Sequence, residues 1–463
     1  MKEKNKDLAT ADIGSLLFTL SLPAITSQIV NVLYNIIDRV YIGHIPKVGA
    51  VALTGVGVSF PIVTLISAFA ALFSFGAAPR ASIFMGRGDK KSAEKTLGNS
   101  VSLLIISSII LTAIVLIFHI PLLYLFGASE NTIEYGTTYI KIYALGTIFV
   151  QLTLGLNSFI AVQGFSKIAM FTVLIGAITN IILDPILIYG LEMGVAGAAI
   201  ATIISQALSA VFALRFMLSK KTQIKIKKKN LKIDSKIAVP AVGLGLSPFI
   251  MQSTESLLML AFNSQLLKFG GDLAVGTMTI TSSLMQFALL PVQGITQGGQ
   301  AILSFNYGAG NINRVREAFK LQSVACVVFS GILWMLLLAF PKFFARFFTQ
   351  DAMLLNQAMW AIRVYFAVIV LFGMQISCQQ SFIAFGDART SAFLAIFRKI
   401  IVLIPLIFIL PNFLDNKVFA VFLAEPIADF IAVLTTTLMF KVKMNKIIAE
   451  SKLDKNSRDQ FYT

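Results

Sequence analysis

Charge is what this chain has least of. Only 13% of its 463 residues are Asp, Glu, Lys or Arg, against 57% hydrophobic, and it holds two Cys, two His and two Trp. A soluble domain carries about 25% charged residues, so a water-facing globular surface is excluded. Two cysteines cannot build a disulfide framework, and Cys326 and Cys378 both fall in apolar runs where they read as small hydrophobes. His44 and His119 stand singly near the outer ends of apolar segments, which leaves no histidine pair for a metal centre. The chain also lacks H-E-x-x-H, G-x-S-x-G and a cytoplasm-facing D-x-x-D, so an intramembrane enzyme is not expected. Its first apolar run is too long for a signal-peptide core and has no small-residue cleavage site, so it is expected to remain as a span.

What is abundant is apolar sequence, with a mean hydropathy of +0.82. Runs of about 20 apolar residues predict an all-α polytopic membrane protein with twelve transmembrane helices, at 14–42, 49–79, 96–119, 136–160, 168–190, 195–218, 237–263, 275–304, 318–340, 358–384, 391–411 and 418–440. The net charge of +16 gathers in alternate loops. Arg80, Arg87, Lys90, Lys91 and Lys95 lie between spans 2 and 3, and Arg314, Arg316 and Lys320 lie between spans 8 and 9. By the positive-inside rule both termini are expected in the cytoplasm. Residues 220–236 carry eight lysines and one aspartate, read as a topology signal against anionic lipid; nucleic acid is not an expected partner.

That basic run divides the chain near its centre. Shifting the sequence by 222 residues pairs Gly76 with Gly298, Gly86 and Gly88 with Gly308 and Gly310, Tyr143 with Tyr365, and Gly164 with Gly386. The expected organisation is therefore a six-helix N-terminal lobe (1–219), a basic cytoplasmic loop (220–236), a six-helix C-terminal lobe (237–440) and a cytoplasmic tail (441–463). An even number of spans per repeat gives both lobes the same orientation, an arrangement that in transporters places the substrate between two rocking halves.

Asp184 is the costliest residue in the N-terminal lobe, a carboxylate within the apolar run 171–191. Asn180 is four residues away and shares its helix face. At 1.5 Å per residue, Asp38 on span 1, Asp184 on span 5 and Thr202 on span 6 all fall in the outer half of the membrane, whereas Asn157 on span 4 falls nearer the inner side. Two carboxylates, an amide and a hydroxyl form an all-oxygen set suited to Na⁺ or a shared proton. The structural alternative is that Asp184 caps a break at Pro185 and Asp38 pairs with Arg39.

The pattern LPAITSQIVNVLYNIIDRVYIGHIPKVGAVALTGVGVSFP resembles the first two helices of the multidrug and toxic compound extrusion (MATE) family, and TNIILDPILIYGLEMGVAGAAIATIISQ resembles its fifth and sixth. RKIIVLIPL and the AEP near the end are similar to the bacterial drug-exporting branch. The resemblance covers essentially the whole chain. It implies a V-shaped, twelve-helix antiporter in the bacterial inner membrane, working as a monomer. Such a protein exports amphipathic, mostly cationic compounds against inward Na⁺ or H⁺ flow and needs no cofactor beyond that ion. It also implies a coupling-cation site at Asp38, Asn180, Asp184 and Thr202, the Na⁺ ligands if sodium couples, with Tyr139 and Asn157 as hydrogen-bonding neighbours. A lipid or lipid-linked precursor flippase of the same superfamily is the alternative, and it would need a cationic cavity.

The C-terminal lobe does not repeat this set, since Asp38, Asn180, Asp184 and Thr202 face Leu260, Val402, Leu406 and Ala424 at the 222 shift. It carries instead Glu255, a candidate C-lobe or substrate residue, together with Arg398 and Lys399 on span 11 and Glu425 and Asp429 on span 12. A buried pair between Arg398 and Glu425 or Asp429 is expected, because unpaired charges are rare in spans. Pro23, Pro185, Pro248, Pro291, Pro405 and Pro426 lie within spans and permit bends.

Overall fold

A computed structural model describes residues 8–459, with side chains described as far as residue 450. The parts of the expected N-terminal lobe and tail that precede or follow those limits lie outside the described residues. In hydrocarbon every backbone N–H and C=O must be satisfied within the chain, and helices do this segment by segment. The described residues accordingly form helices joined by short turns.

Among the described residues there are twelve apolar helical crossings, each bent pair making one and the 74-residue helix making two. They are α1 (Ile13–Gly43), α2 (Gly49–Gly86), α3 (Lys90–Leu125), the bent pair α4 (Ile133–Leu145 and Thr147–Val162), α5 (Ser166–Gly190) and α6 (Gly194–Leu218). Ser235–Gly308 is helical over 74 residues. At 1.5 Å per residue it would be far longer than a bilayer core of about 30 Å. It turns at Gly271, whose φ of 62° and ψ of −160° are open to glycine, and so forms α7 (235–270) and α8 (272–308). The set closes with α9 (Ile312–Ala339), the bent pair α10 (Ala352–Tyr365 and Ile369–Ala384), α11 (Ala388–Asn412) and α12 (Lys417–Asp459).

Aspartates begin many of these helices by accepting an orphan backbone N–H. Asp12 accepts from Ser15 at 2.8 Å, Asp89 from Ser92 at 3.0 Å, Asp234 from Lys236 at 3.1 Å, Asp351 from Leu354 at 2.8 Å and Asp387 from Thr390 at 3.3 Å. The 222-residue repeat is visible in the backbone. Gly88 and Gly310 take φ of 75° and 74°, and Gly164 and Gly386 take 87° and 77°. The sharpest bends fall at equivalent places as well, α4 turning by 57° at Gly146 and α10 by 51° just before Ile369.

The bends differ from the proline-based expectation. Neither the α4 nor the α10 break contains proline, while α1 runs unbroken through Pro23. Gly146 lies against Ile203 of α6, where an added Cβ would come within 2.5 Å of its side chain, so close packing sets the α4 corner. Pro185 precedes a wide turn of i→i+5 type at Ile186–Gly190, and Pro405 follows another at Phe397–Leu403.

The two lobes meet through backbone-close crossings. An added Cβ on Gly245 of α7 would come within 1.9 Å of the Leu72 carbonyl on α2, on Gly308 of α8 within 2.1 Å of the Ile83 carbonyl, and on Gly86 of α2 within 2.0 Å of the Phe305 carbonyl. Gly294 and Gly298 of α8 press likewise on Ile25 and Ser21 of α1. All of these contacts lie toward the end of the molecule where α1 and α7 begin. Further along, the helices line a cavity of about 800 Å³.

Candidate functional site

The cavity wall follows from one face of α1. Gln28, Asn31, Asn35 and Asp38 recur at three- and four-residue spacing and all line the cavity, as does Tyr34. Opposite them stand Tyr139 and Asn157 from the two arms of bent α4, Asn180 from α5, and Thr202 and Gln206 from α6. Asp184 lies one turn beyond Asn180 and is completely buried.

Four of these groups leave buried oxygens without a hydrogen-bond donor: Oδ1 of Asp38, Oδ1 of Asn157, Oδ1 of Asn180 and Oδ2 of Asp184. The Asn180 amide donates to Asp184 Oδ1 at 3.1 Å. The Asp38 and Asp184 carboxyls reach one another directly. Two carboxylates cannot hydrogen-bond without a proton between them, and leaving such groups unsatisfied in a dry interior is costly. The arrangement therefore suits a bound cation or proton. Thr202 donates to the Ala198 carbonyl at 3.0 Å and meets Tyr139, whose ring lies 6.0 Å from that of Tyr143. Arg39 stacks its guanidinium 4.2 Å over the Phe60 ring and acts on Asp38 as a neighbouring charge, with no direct ion pair between them among the described residues. Among the described residues no three His, Cys, Asp or Glu side chains converge.

Asp184 sits in the last turn of the α-helical part of α5, directly ahead of the wide turn at Ile186–Gly190. The bend in α4 brings Asn157 into the same cavity wall as Tyr139, a proximity that a straight-helix depth count places too far inward. Sequence reading passed over Tyr34, Tyr143 and the α1 amide stripe, although its 28-31-35-38 spacing was available as a signal.

The C-terminal lobe holds its charges differently. Arg398 donates from Nε to Asp429 at 2.8 Å and from Nη2 to Glu425 at 2.8 Å, and its guanidinium lies 4.5 Å over Phe372. Lys399 donates to Glu255 at 2.5 Å and to the Met251 carbonyl at 2.6 Å. Both cations sit on the wide turn Phe397–Leu403, so neighbouring residues aim at different partners. Glu255 is apart from the N-lobe cluster, and its side chain is 60% exposed.

Among the described residues, two sets of six helices with a cavity walled mainly by α1, α2, α4, α5 and α6, and reached from the second set by Gln252 and Gln297, have the architecture of a membrane transporter. The MatE family model matches residues 23–186 and again 248–409, once in each lobe, and the chain belongs to that family of efflux transporters. It is 26% identical over 414 residues to the multidrug export protein MepA of Staphylococcus haemolyticus, covering 89% of this chain and 90% of the relative. It is 24% identical over 421 residues to MepA of Staphylococcus aureus strain N315, covering 90% and 92%. Among solved structures, a MATE protein in a bent conformation shares the fold with a TM-score of 0.91 at 22% identity, over 98% of this chain and 100% of that one. A MOP superfamily transporter from Pyrococcus furiosus, described as having a binding pocket of reverse polarity, gives 0.89 at 22% identity over 96% and 99%.

Proposed function

We propose that this chain is a cation-coupled antiporter that exports amphipathic, mostly cationic compounds by alternating access, with the coupling ion, Na⁺ or H⁺, held by Asp38, Asn180, Asp184 and Thr202. Tyr139 and Asn157 support that site. The observation that carries the reading is the group of donor-less oxygens on Asp38, Asn157, Asn180 and Asp184 beside one cavity. The division into lobes at 1–219 and 237–440, the basic loop 220–236 and the tail from 441 belongs to the same proposal. So do a bacterial cell membrane with cytoplasmic termini, lipid contact and a monomeric state.

In this scheme the ion neutralises the Asp38–Asp184 pair in one conformation and leaves it in the other, so the two faces of the membrane see different affinities for cargo. A flippase for pyrophosphate-linked lipid is disfavoured because the buried cations Arg398 and Lys399 of α11 are both bound to acids, and Arg39 is the one cation among the residues lining the cavity.

The test is ethidium efflux from proteoliposomes under separately imposed Na⁺ and pH gradients. One gradient drives export in the parent protein. Asp38→Asn and Asp184→Asn each lose it while remaining folded and monodisperse. Normal export in both variants would overturn the assignment.

A further inference from the structure

The segments leading into α1 and α7 are related by the 222-residue repeat, which pairs Leu8 with Asn230 and the cap Asp12 with the cap Asp234. Each leads into one lobe and is gripped by the other. Ahead of α1, the Leu8 carbonyl accepts from Asn306 Nδ2 at 3.0 Å and from Arg314 Nη2 at 3.2 Å, and the Ala11 carbonyl accepts from Arg314 Nη2 at 2.6 Å. Asn306 ends α8 and Arg314 begins α9, both in the C-terminal lobe. Arg314 is braced by its own Nε bond to Asn306 at 3.2 Å. The Leu8 side chain is 4% exposed and packs with Ile302, Val315 and Ala318.

Ahead of α7 the roles reverse. Asn99 of α3, in the N-terminal lobe, donates to the Asn230 carbonyl at 3.3 Å and the Lys232 carbonyl at 3.2 Å, and accepts from the Asp234 N–H at 2.7 Å. Ser102 donates to the Leu231 carbonyl at 2.6 Å, and Lys227 pairs with the buried Glu94 at 2.5 Å. Gly98 lets the strap lie flat on α3, since an added Cβ would come within 2.3 Å of the Asn230 carbonyl. Asn99 lies on the third helix of its lobe, and Asn306 and Arg314 flank the turn into the third helix of theirs, at the end of the molecule that carries the backbone-close glycine crossings.

We propose that residues 8–12 and 227–234 are reciprocal latches, each lobe's lead-in segment being held by the opposite lobe, and that both must unseat before the cavity opens at the end carrying them. A crossed pair suits this task, because separating the lobes strains both grips at once while sliding within a lobe strains neither. The inference rests on the alternating-access reading, and its first test needs neither substrate nor ion.

That test labels a Gln297→Cys cavity site with a membrane-impermeant maleimide applied from the face that carries residues 8–12. The native Cys326 and Cys378 are fully buried, so the background is low. Adding Asn99→Ala and Arg314→Ala is expected to raise the labelling rate about threefold, a population shift of about 0.6 kcal/mol. The second test joins Glu94→Cys to Lys227→Cys with a short reducible linker, which is expected to stop efflux until the linker is cut. An unchanged labelling rate, or full efflux with the linker in place, overturns the latch. Faster labelling in a protein that exports nothing leaves the latch standing and removes the export reading instead.

Discussion

Asp184 and Glu425 show two ways of keeping a carboxylate inside a bilayer. Glu425 shares Arg398 with Asp429, so its counter-charge is part of the chain. Asp184 has one oxygen on the Asn180 amide and the other without a donor, so its counter-charge has to come from outside. The difference fits a lobe that exchanges an ion and a lobe that does not. Arg398→Met is expected to destabilise the protein by about 3–5 kcal/mol, because two buried acids lose their partner. Arg398→Met combined with Glu425→Gln and Asp429→Asn should recover most of that loss, as read by thermal unfolding in detergent. At Asp184 the reverse holds: Asp184→Asn removes a charge that has no resident partner, and the expected effect is on efflux with stability kept or raised. The sequence placed Asp38, Asn180, Asp184 and Thr202 at similar depth through helical rise alone, whereas the orphaned oxygens depend on side-chain directions that spacing does not encode.

At the scale of elements, the breaks carry more meaning than the helices. Asp387 caps α11 through Thr390 and also binds Lys443 of α12 at 3.0 Å, which ties two helices together outside the spans. Partial burial opposes the charged form, but the Lys443 bond and the Thr390 N–H hold its carboxyl below the usual carboxylate range. A depressed folded-state value means that the stabilisation is complete above the unfolded value of about 4 and disappears as pH falls through the folded one. Asp387→Ala is expected to cost about 1 kcal/mol at neutral pH, with the gap from the parent closing in strong acid, measured as unfolding midpoints across pH. The crossings could be counted from hydropathy, because a bilayer demands about 20 apolar residues whatever their packing. The bends in α4 and α10 were not legible, since both occur without proline and Gly146 corresponds to Val368 in the repeat. At α4 the corner is packed by Gly146 against Ile203, and at α10 the Trp334 indole N–H donates to the Ala367 carbonyl at 2.9 Å, contacts that sequence position does not disclose.

For the whole molecule, the decisive feature is that the lobes touch backbone to backbone at one end, beside a cavity walled mainly by the N-terminal lobe and reached from the other by Gln252 and Gln297. Gly245→Val would drive a side chain into the Leu72 carbonyl, where even a Cβ comes within 1.9 Å. That crossing is expected to open by a few ångströms, on the scale of side-chain van der Waals contact. Distances between spin labels on the last turns of α2 and the first turns of α7, which flank the Leu72–Gly245 crossing, would register this as a shift toward longer separations, and unchanged distances would show that the crossing does not set the closed state.

Sequence by itself determined the class, the number of crossings, the doubling at 222 residues and the four oxygen-bearing residues, because these depend on hydrophobicity, period and rise, which are properties of a chain read in order. Tertiary structure decided which oxygens lack donors, which acids have resident cations, where helices without proline turn, and that each lobe's lead-in segment is held by the other. Those outcomes depend on contacts between residues tens to hundreds of positions apart, where packing and desolvation choose among arrangements that the local pattern leaves equal.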